Sequence, residues 1–151
     1  MFFRITHVNI NGLRNKTHEI TSMLDYRQSD VLLVSESRLS ASIPDSRISV
    51  DVYNLIRKDR KHKSGGGLVA FVKSNVDFTI QEISLQCCES IAFSFPISKR
   101  KKALVILIYR PPGSNADTFV CSLERLLAQL NTNKEPLIMA GDIGWNRSSV
   151  S

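Results

Sequence analysis

The stretch Ala103-Leu-Val-Ile-Leu-Ile-Tyr109 contains no charged side chain and no alternation of polar and apolar residues. A strand with one face in water alternates, whereas a strand covered on both faces is continuously apolar. We therefore predict a central strand that is buried on both faces. Val31–Val34 and Leu137–Ala140 are shorter runs of the same kind. Three such strands need more covering than two helices provide, which predicts an α/β fold with two packed sheets flanked by helices.

The remaining elements follow from hydrophobic spacing and turn signals. Helices are predicted at about residues 16–27, with Asn15 as N-cap, and at about 116–130, where one apolar stripe recurs. Further strands are predicted at residues 3–10, 52–57, 67–73, 77–85 and 89–95. No repeat or linker divides the sequence, so residues 1–151 are predicted to form a single domain.

Composition excludes several classes of protein. No run of 18 apolar residues is present, so no membrane span is predicted. Arg4, His7 and Asn9 interrupt any apolar segment of a signal peptide. Two of the three cysteines are neighbours, which does not make a disulfide framework, so we predict reduced thiols in an intracellular compartment.

The net charge of +6 is concentrated in two patches. Arg57–Lys63 holds five basic residues and one acidic residue, and Lys99–Lys102 is entirely basic. Basic patches favour a polyanionic partner, most commonly nucleic acid. Charge runs are also typical of solvated turns between strands, and both interpretations stay open at this point.

Four polar motifs each stand at the C-terminal end of a hydrophobic run. Because the ends of adjacent strands share one edge of an α/β fold, residues distant in sequence can converge there. Each motif alone is also typical of an ordinary turn or strand end. The motifs are Asn9-Ile-Asn-Gly-Leu-Arg14, Ser35-Glu-Ser37, Tyr109-Arg-Pro-Pro112 and Gly141-Asp142.

Two carboxylates, Glu36 and Asp142, directly follow buried strands. A carboxylate in such a place costs free energy unless it is paired, bound to a metal or at an open edge. Together with the amides of Asn9 and Asn11, they predict an oxygen-rich pocket of the kind that suits Mg²⁺ or Mn²⁺. A metal there could polarise a phosphodiester, and the other carboxylate could orient or deprotonate water.

The ordered set of these motifs, together with Gly65-Gly-Gly-Leu-Val-Ala-Phe-Val72, resembles the endonuclease/exonuclease/phosphatase superfamily. More narrowly, the set is similar to the apurinic-endonuclease-like domain of non-LTR retrotransposons. The resemblance covers nearly the whole chain, to about Asp142. It implies a four-layer α/β sandwich and a divalent-metal phosphodiesterase that nicks DNA. The nick leaves a 3′-hydroxyl that primes reverse transcription.

The resemblance also implies roles for individual residues. Glu36 would be the metal ligand with Asn11 assisting, Asn9 would hold the polar network, Tyr109 would contact the scissile phosphate, and Asp142 would activate water. It further implies a nuclear location and a reverse transcriptase encoded downstream. The residues expected to contact nucleic acid are Arg14, Arg57, Lys58, Arg60, Lys61 and Arg110.

Two departures from the family pattern lead us to expect weak activity. Gly144 stands where the family usually has the asparagine of Gly-Asp-Phe-Asn, and the C-terminal part that ends in Ser-Asp-His is absent. We therefore expect a domain that lacks its C-terminal part. One alternative is a non-catalytic remnant that binds nucleic acid through the two basic patches. Another keeps the fold but acts on lipid or inositol phosphates, and the match around Tyr109 argues against it.

Overall fold

The computed structural model describes residues 2–62, 64–130 and 134–144. The first of its two sheets, sheet A, has the strand order β1-β2-β4-β3. β1 and β2 are parallel, and the other pairs in this sheet are antiparallel. The strands are β1 (Ile5–Asn9), β2 (Val31–Ser35), β3 (Tyr53–Lys58) and β4 (Leu68–Lys73).

The second sheet, sheet B, has the strand order β5-β6-β7-β8. Only β7 and β8 are parallel, so both sheets are mixed. Its strands are β5 (Thr79–Gln81), β6 (Glu89–Ser98), β7 (Lys101–Tyr109) and β8 (Leu137–Asp142). The helices are α1 (Thr17–Arg27), α2 (Ala116–Leu130) and a short 3-10 helix (Asp45–Arg47).

Three apolar clusters stack the elements into four layers. α1 covers the outer face of sheet A through Ile20 and Leu24. α2 covers the outer face of sheet B through Phe119 and Leu126. The cluster between the sheets is the largest, and its members include Val31, Leu33, Ala70, Phe93, Val105 and Leu107. The predicted four-layer α/β sandwich is confirmed.

The strand predicted to be central has apolar partners on both faces. Successive residues of β7 point to opposite faces of sheet B. Val105 lies in the inter-sheet cluster and Ile106 in the cluster beneath α2, and both are fully buried. Because β7 pairs with β6 on one side and β8 on the other, it positions the C-terminal end of sheet B. That end carries Tyr109 and Asp142.

Three local predictions are wrong. The strand at Leu137–Ala140 was predicted to be buried on both faces, but every residue of β8 is only partly buried, because β8 lies at the edge of sheet B and pairs with β7 alone among the described strands. The strand expected over residues 77–85 is reduced to Thr79–Gln81, because Ile83 and Leu85 leave the ladder and pack into the cluster beneath α2. Asn15 is not the N-cap of α1; Lys16 occupies that position and makes no side-chain capping bond. Among the described residues, no helix has the length and apolar character needed to cross a membrane.

Candidate active site

The side chains that point into the space between the sheets change from apolar to polar at one end of the sandwich. Residues two apart on a strand lie on the same face, so each inward series can be followed along its strand. In β7 the series passes through the apolar core and ends at Tyr109. We call this end the polar rim, and its other inward residues are Asn9, Ser35, Lys58, Glu89 and Asp142.

Tyr109 and Glu36 connect the two sheets at the polar rim. The Tyr109 hydroxyl donates a hydrogen bond to Glu36 Oε1 over 2.5 Å, between residues 73 positions apart in sequence. Burial, and then the hydrogen bond to Glu36, raise the pKa of Tyr109 to about 12. The hydroxyl is therefore protonated at neutral pH and acts as a donor. The structure thus brings together two of the predicted site residues.

The turn after β1 holds Glu36 in an unusual backbone conformation. Glu36 has φ 55°, in the left-handed region, which costs a residue other than glycine about 1–2 kcal/mol. Its carbonyl accepts the N–H of Gly12 at 2.8 Å, and the carbonyl of Ser37 accepts the N–H of Leu13 at 2.8 Å. The first polar motif therefore acts on the site by fixing the backbone from which the Glu36 carboxylate projects.

Asn9 and Asn11 build that turn. Asn9 Oδ1 accepts the backbone N–H of Asn11 at 3.2 Å, and Asn11 has φ 49°, which asparagine tolerates better than most residues. Both residues are exposed at the polar rim. The roles predicted for them, Asn9 in the polar network and Asn11 at a metal, stay predictions. The geometry adds that Asn9 orders the turn that supports Glu36.

Asp142 ends β8 directly opposite Tyr109 in the pairing of β7 and β8. Its Oδ1 accepts the backbone N–H of Gly144 at 3.1 Å.

The sequence did not single out His7, whose Nε2 lies 3.0 Å from the hydroxyl of Ser35. Burial lowers the pKa of His7, and the negative charge of Asp142 opposes that shift. His7 could have been identified from the sequence because it lies two positions before Asn9, the last residue of β1, and residues two apart on a strand share one face.

The two carboxylates each keep one oxygen for a further ligand. Glu36 Oε1 accepts from Tyr109 and Asp142 Oδ1 accepts from Gly144, while the second oxygen of each makes no hydrogen bond to the described residues. Mg²⁺ binds proteins through one or two carboxylates and keeps several waters. In the described part of the chain, no three His, Cys, Asp or Glu side chains cluster around a metal position. The carboxylates of Glu36 and Asp142 are the kind of donor that a hydrated hard cation takes.

The structure gives Arg110 a role other than the predicted contact with nucleic acid. Arg110 is 8% exposed. Its guanidinium donates to the carbonyls of Ile143 at 2.7 Å, Ser114 at 3.0 Å and Gly144 at 2.5 Å. Its backbone N–H donates to the carbonyl of Asp142 at 2.8 Å. Arg110 thus ties the segment after β8 to the turn after β7, and the role predicted for it in binding nucleic acid stays a prediction.

Two arginines of the basic stretch that begins at the end of β3 are also engaged within the protein. Arg57 forms ion pairs with Asp45 at 3.0 Å and with Asp59 at 2.8 Å, and its side chain is 14% exposed. Arg60 forms an ion pair with Glu89. These carboxylates offset much of the positive charge that the stretch carries in sequence. The roles predicted for Arg57 and Arg60 in binding nucleic acid stay predictions.

The other three basic residues predicted to contact nucleic acid are solvent-exposed. Arg14, Lys58 and Lys61 are all exposed, and Lys58 also donates to the carbonyl of Ser90 at 2.9 Å. Lys63, at the end of the predicted patch, lies outside the described residues. An open groove of about 1060 Å³ runs beside the stretch, and its lining includes Ser40, Ser42, Leu55, Arg57, Lys58 and Lys61.

Solved structures share this arrangement of sheets and helices. The human Nocturnin catalytic domain with bound sulfate matches with a TM-score of 0.71 and 16% identity, over 97% of this chain and 65% of that chain. The AP endonuclease LMAP from Leishmania major matches with a TM-score of 0.71 and 18% identity, over 93% and 55%. The 3′ phosphatase NExo from Neisseria, bound to a product DNA hairpin, matches with a TM-score of 0.67 and 16% identity, over 93% and 57%.

This chain spans between 55% and 65% of the length of these three structures. No protein-family model and no curated protein matches the sequence. At identities of 16 to 18%, what the proteins share is the fold, and function has to be argued from the site. The chain therefore has the fold of the endonuclease/exonuclease/phosphatase superfamily.

Proposed function

We propose that this chain is the site-bearing part of a divalent-metal-dependent phosphodiesterase that nicks DNA. The observation that carries the proposal is the 2.5 Å hydrogen bond from Tyr109 to Glu36 across the two sheets, with Asp142 paired opposite Tyr109. A protonated donor and two carboxylates, each with one oxygen unused within the described residues, are groups that can promote hydrolysis of a phosphodiester.

Glu36, assisted by Asn11, would hold a Mg²⁺ or Mn²⁺ ion. When bound, that ion supplies Lewis-acid polarisation of the phosphodiester and neutralises charge that develops on it. Asn9 supports this arrangement through the turn that fixes Glu36.

The other two side chains act on substrate and water. Tyr109 has a single O–H to donate, so a phosphate oxygen entering the site competes with Glu36 for it. Donation to the phosphate becomes stronger as negative charge builds on its oxygens, which favours the transition state. Asp142 would accept a proton from the attacking water. Its carboxylate is oriented by the Gly144 N–H and its backbone by Arg110.

The surroundings favour nucleic acid over a small phosphate ester as the substrate. The groove of about 1060 Å³ is open, and Arg60 both lines it and lies beside Tyr109. Lys61 lines the groove, Arg14 follows the turn that is bonded to Ser37, and both side chains are exposed. Phosphate contacts made by such cations position a nucleic acid strand. We further propose that the nicked 3′-hydroxyl primes a reverse transcriptase encoded downstream.

We expect the activity to be weak because Gly144 has no side chain. The family pattern places an asparagine amide at this position, and here only the backbone N–H of Gly144 reaches Asp142. Losing one oriented polar group in an active site costs on the order of 10²-fold in rate.

The proposal is tested by the nicking of supercoiled plasmid with Mg²⁺ or Mn²⁺, measured against an EDTA control. We expect slow, metal-dependent nicking and a loss of about 10²-fold in Tyr109→Phe, because one donor to the phosphate is removed. Glu124→Gln, an exposed change on α2, is the control and should keep full activity. Extension of the nick by a DNA polymerase checks for the 3′-hydroxyl. Metal-independent nicking, or equal rates for Tyr109→Phe and the unaltered chain, contradicts the proposal.

A second candidate function, binding of nucleic acid without cleavage, is favoured by the position of the second basic patch. All four residues of Lys99–Lys102 are exposed, and they lie in the turn after β6 and at the start of β7. β7 runs from Lys101 to Tyr109, so the patch lies about 26 Å from the polar rim at 3.3 Å per residue. The patch therefore cannot contact the same few nucleotides that bind at the polar rim.

Replacing all four residues of Lys99–Lys102 with glutamine tests this candidate. We expect weaker DNA binding, with the slope of log K against log salt reduced by about 0.9 for each phosphate that the variant no longer neutralises. Unchanged affinity and salt slope in fluorescence anisotropy titrations would rule the candidate out.

A further inference from the structure

Glu89 ties sheet B to the loop between β3 and β4 of sheet A. It is the first residue of β6 and lies directly opposite Tyr109 in the pairing of β6 and β7. Its Oε1 accepts the backbone N–H of Gly67 at 2.7 Å. Its Oε2 accepts from Arg60, through Nε at 3.0 Å and also through Nη2. One carboxylate therefore holds two separate points of the opposing sheet.

Arg60 in turn contacts the tyrosine of the site. Its guanidinium carbon lies 5.7 Å from the centroid of the Tyr109 ring, within the range of a cation–π interaction. Gly66 makes room for it, because a Cβ on Gly66 would overlap the guanidinium. The side chains of Arg60 and Glu89 are 19% and 18% exposed, so solvent weakens this pair less than a surface ion pair.

These contacts run parallel to the hydrogen bond between Tyr109 and Glu36. Gly67, which donates to Glu89, also accepts the N–H of Ser37 at 3.1 Å, next to Glu36 in the chain. Two sets of contacts therefore hold the sheets together at the polar rim: the hydrogen bond from Tyr109 to Glu36, and the hydrogen bonds that Glu89 accepts from Arg60 and Gly67. The Glu89 connection consists of residues outside the four motifs that carry the chemistry.

We propose that Glu89 and Arg60 are positioning residues that hold the Tyr109 hydroxyl at hydrogen-bonding distance from the Glu36 carboxylate. In this proposal Arg60 positions Tyr109. The competing explanation is that the guanidinium of Arg60 binds a DNA phosphate. The kinetic test below rests on the proposed nuclease function, whereas the NMR test does not.

Kinetics of Glu89→Gln, Arg60→Met and the double variant separate the two explanations. A positioning role predicts that each single change lowers kcat by up to about 10²-fold with KM nearly unchanged, because misplacement by about 1 Å can cost that much. The double variant should be no slower than the slower single variant, since both changes break the same ion pair. Glu124→Gln and Arg125→Met, both exposed on α2, are the matched controls. A raised KM with unchanged kcat for Arg60→Met, or losses that multiply in the double variant, overturns the proposal.

A second measurement decides the inference even if the chain cleaves no DNA. Exchange of the Tyr109 hydroxyl proton can be followed by NMR in protein labelled with ¹³Cζ-tyrosine. We expect exchange to accelerate by about two- to tenfold in Glu89→Gln and Arg60→Met, the factor that corresponds to weakening one hydrogen bond. The controls should show no change. Glu89→Gln keeps an acceptor for the Gly67 N–H, which preserves the fold. Unchanged exchange in both variants overturns the inference, whereas absent nicking alone contradicts only the proposed function.

Discussion

Gly141→Ala is expected to lower the free energy of unfolding by about 3–5 kcal/mol, from backbone strain and overpacking together. Gly141 has φ 140°, which side chains other than hydrogen rarely allow. A Cβ there would overlap the carbonyl oxygen of Ile108 and lie 2.7 Å from the carbon of that carbonyl. Ile108 cannot move away, because it belongs to β7, which is paired on both sides. The substitution should therefore separate β8 from β7 and displace Asp142.

Gly113→Ala is the matched control for this prediction. Gly113 also has a positive φ, 79°, but a Cβ there would meet no atom within 4 Å. Its substitution should cost about 1 kcal/mol from the backbone alone. Urea unfolding followed by circular dichroism gives both values on the same protein. Equal losses of stability for the two variants would show that β7 and β8 do not approach each other this closely.

The continuous apolar run of β7, together with two shorter runs and only two predicted helices, predicted two packed sheets flanked by helices, and the resemblance added the four-layer sandwich. A strand without polar positions has to be covered on both faces, and the structure covers β7 with sheet A on one side and α2 on the other. The ends of α2 were predicted because its apolar stripe is regular. The structure adds that Asn115 caps its first turn, with Oδ1 accepting the N–H of Thr118 at 2.9 Å. Regular hydrophobic patterns therefore predicted most of the helices and strands.

The positioning network could not be predicted in the same way. Glu89 reads in sequence as a polar residue at the start of a strand, and only the register of β6 on β7 places it opposite Tyr109. Arg110 reads as an exposed cation in a loop, because its partners are backbone carbonyls, which leave no pattern in a sequence. Residues whose contacts depend on strand register or on backbone acceptors need the structure.

Glu36→Gln is expected to lower the rate of nicking by about 10³-fold or more, because loss of a metal's charge stabilisation is worth several kcal/mol. The substitution removes the negative charge but keeps an acceptor in the same place. The Tyr109 hydroxyl can still donate to the amide oxygen, so the connection between the sheets should survive. The free energy of unfolding should accordingly change by no more than about 1 kcal/mol.

Two measurements on the same protein isolate the role of the charge. Mn²⁺ binding, followed by electron paramagnetic resonance of the free ion, should weaken in Glu36→Gln and remain unaltered in Glu124→Gln. Urea unfolding should show that both variants are as stable as the unaltered chain. If Glu36→Gln lost activity while binding Mn²⁺ normally, the carboxylate would act on substrate or on Tyr109 and not on a metal. If it kept activity, the pairing of Tyr109 with Glu36 would be structural only, because a neutral amide would serve that purpose equally well.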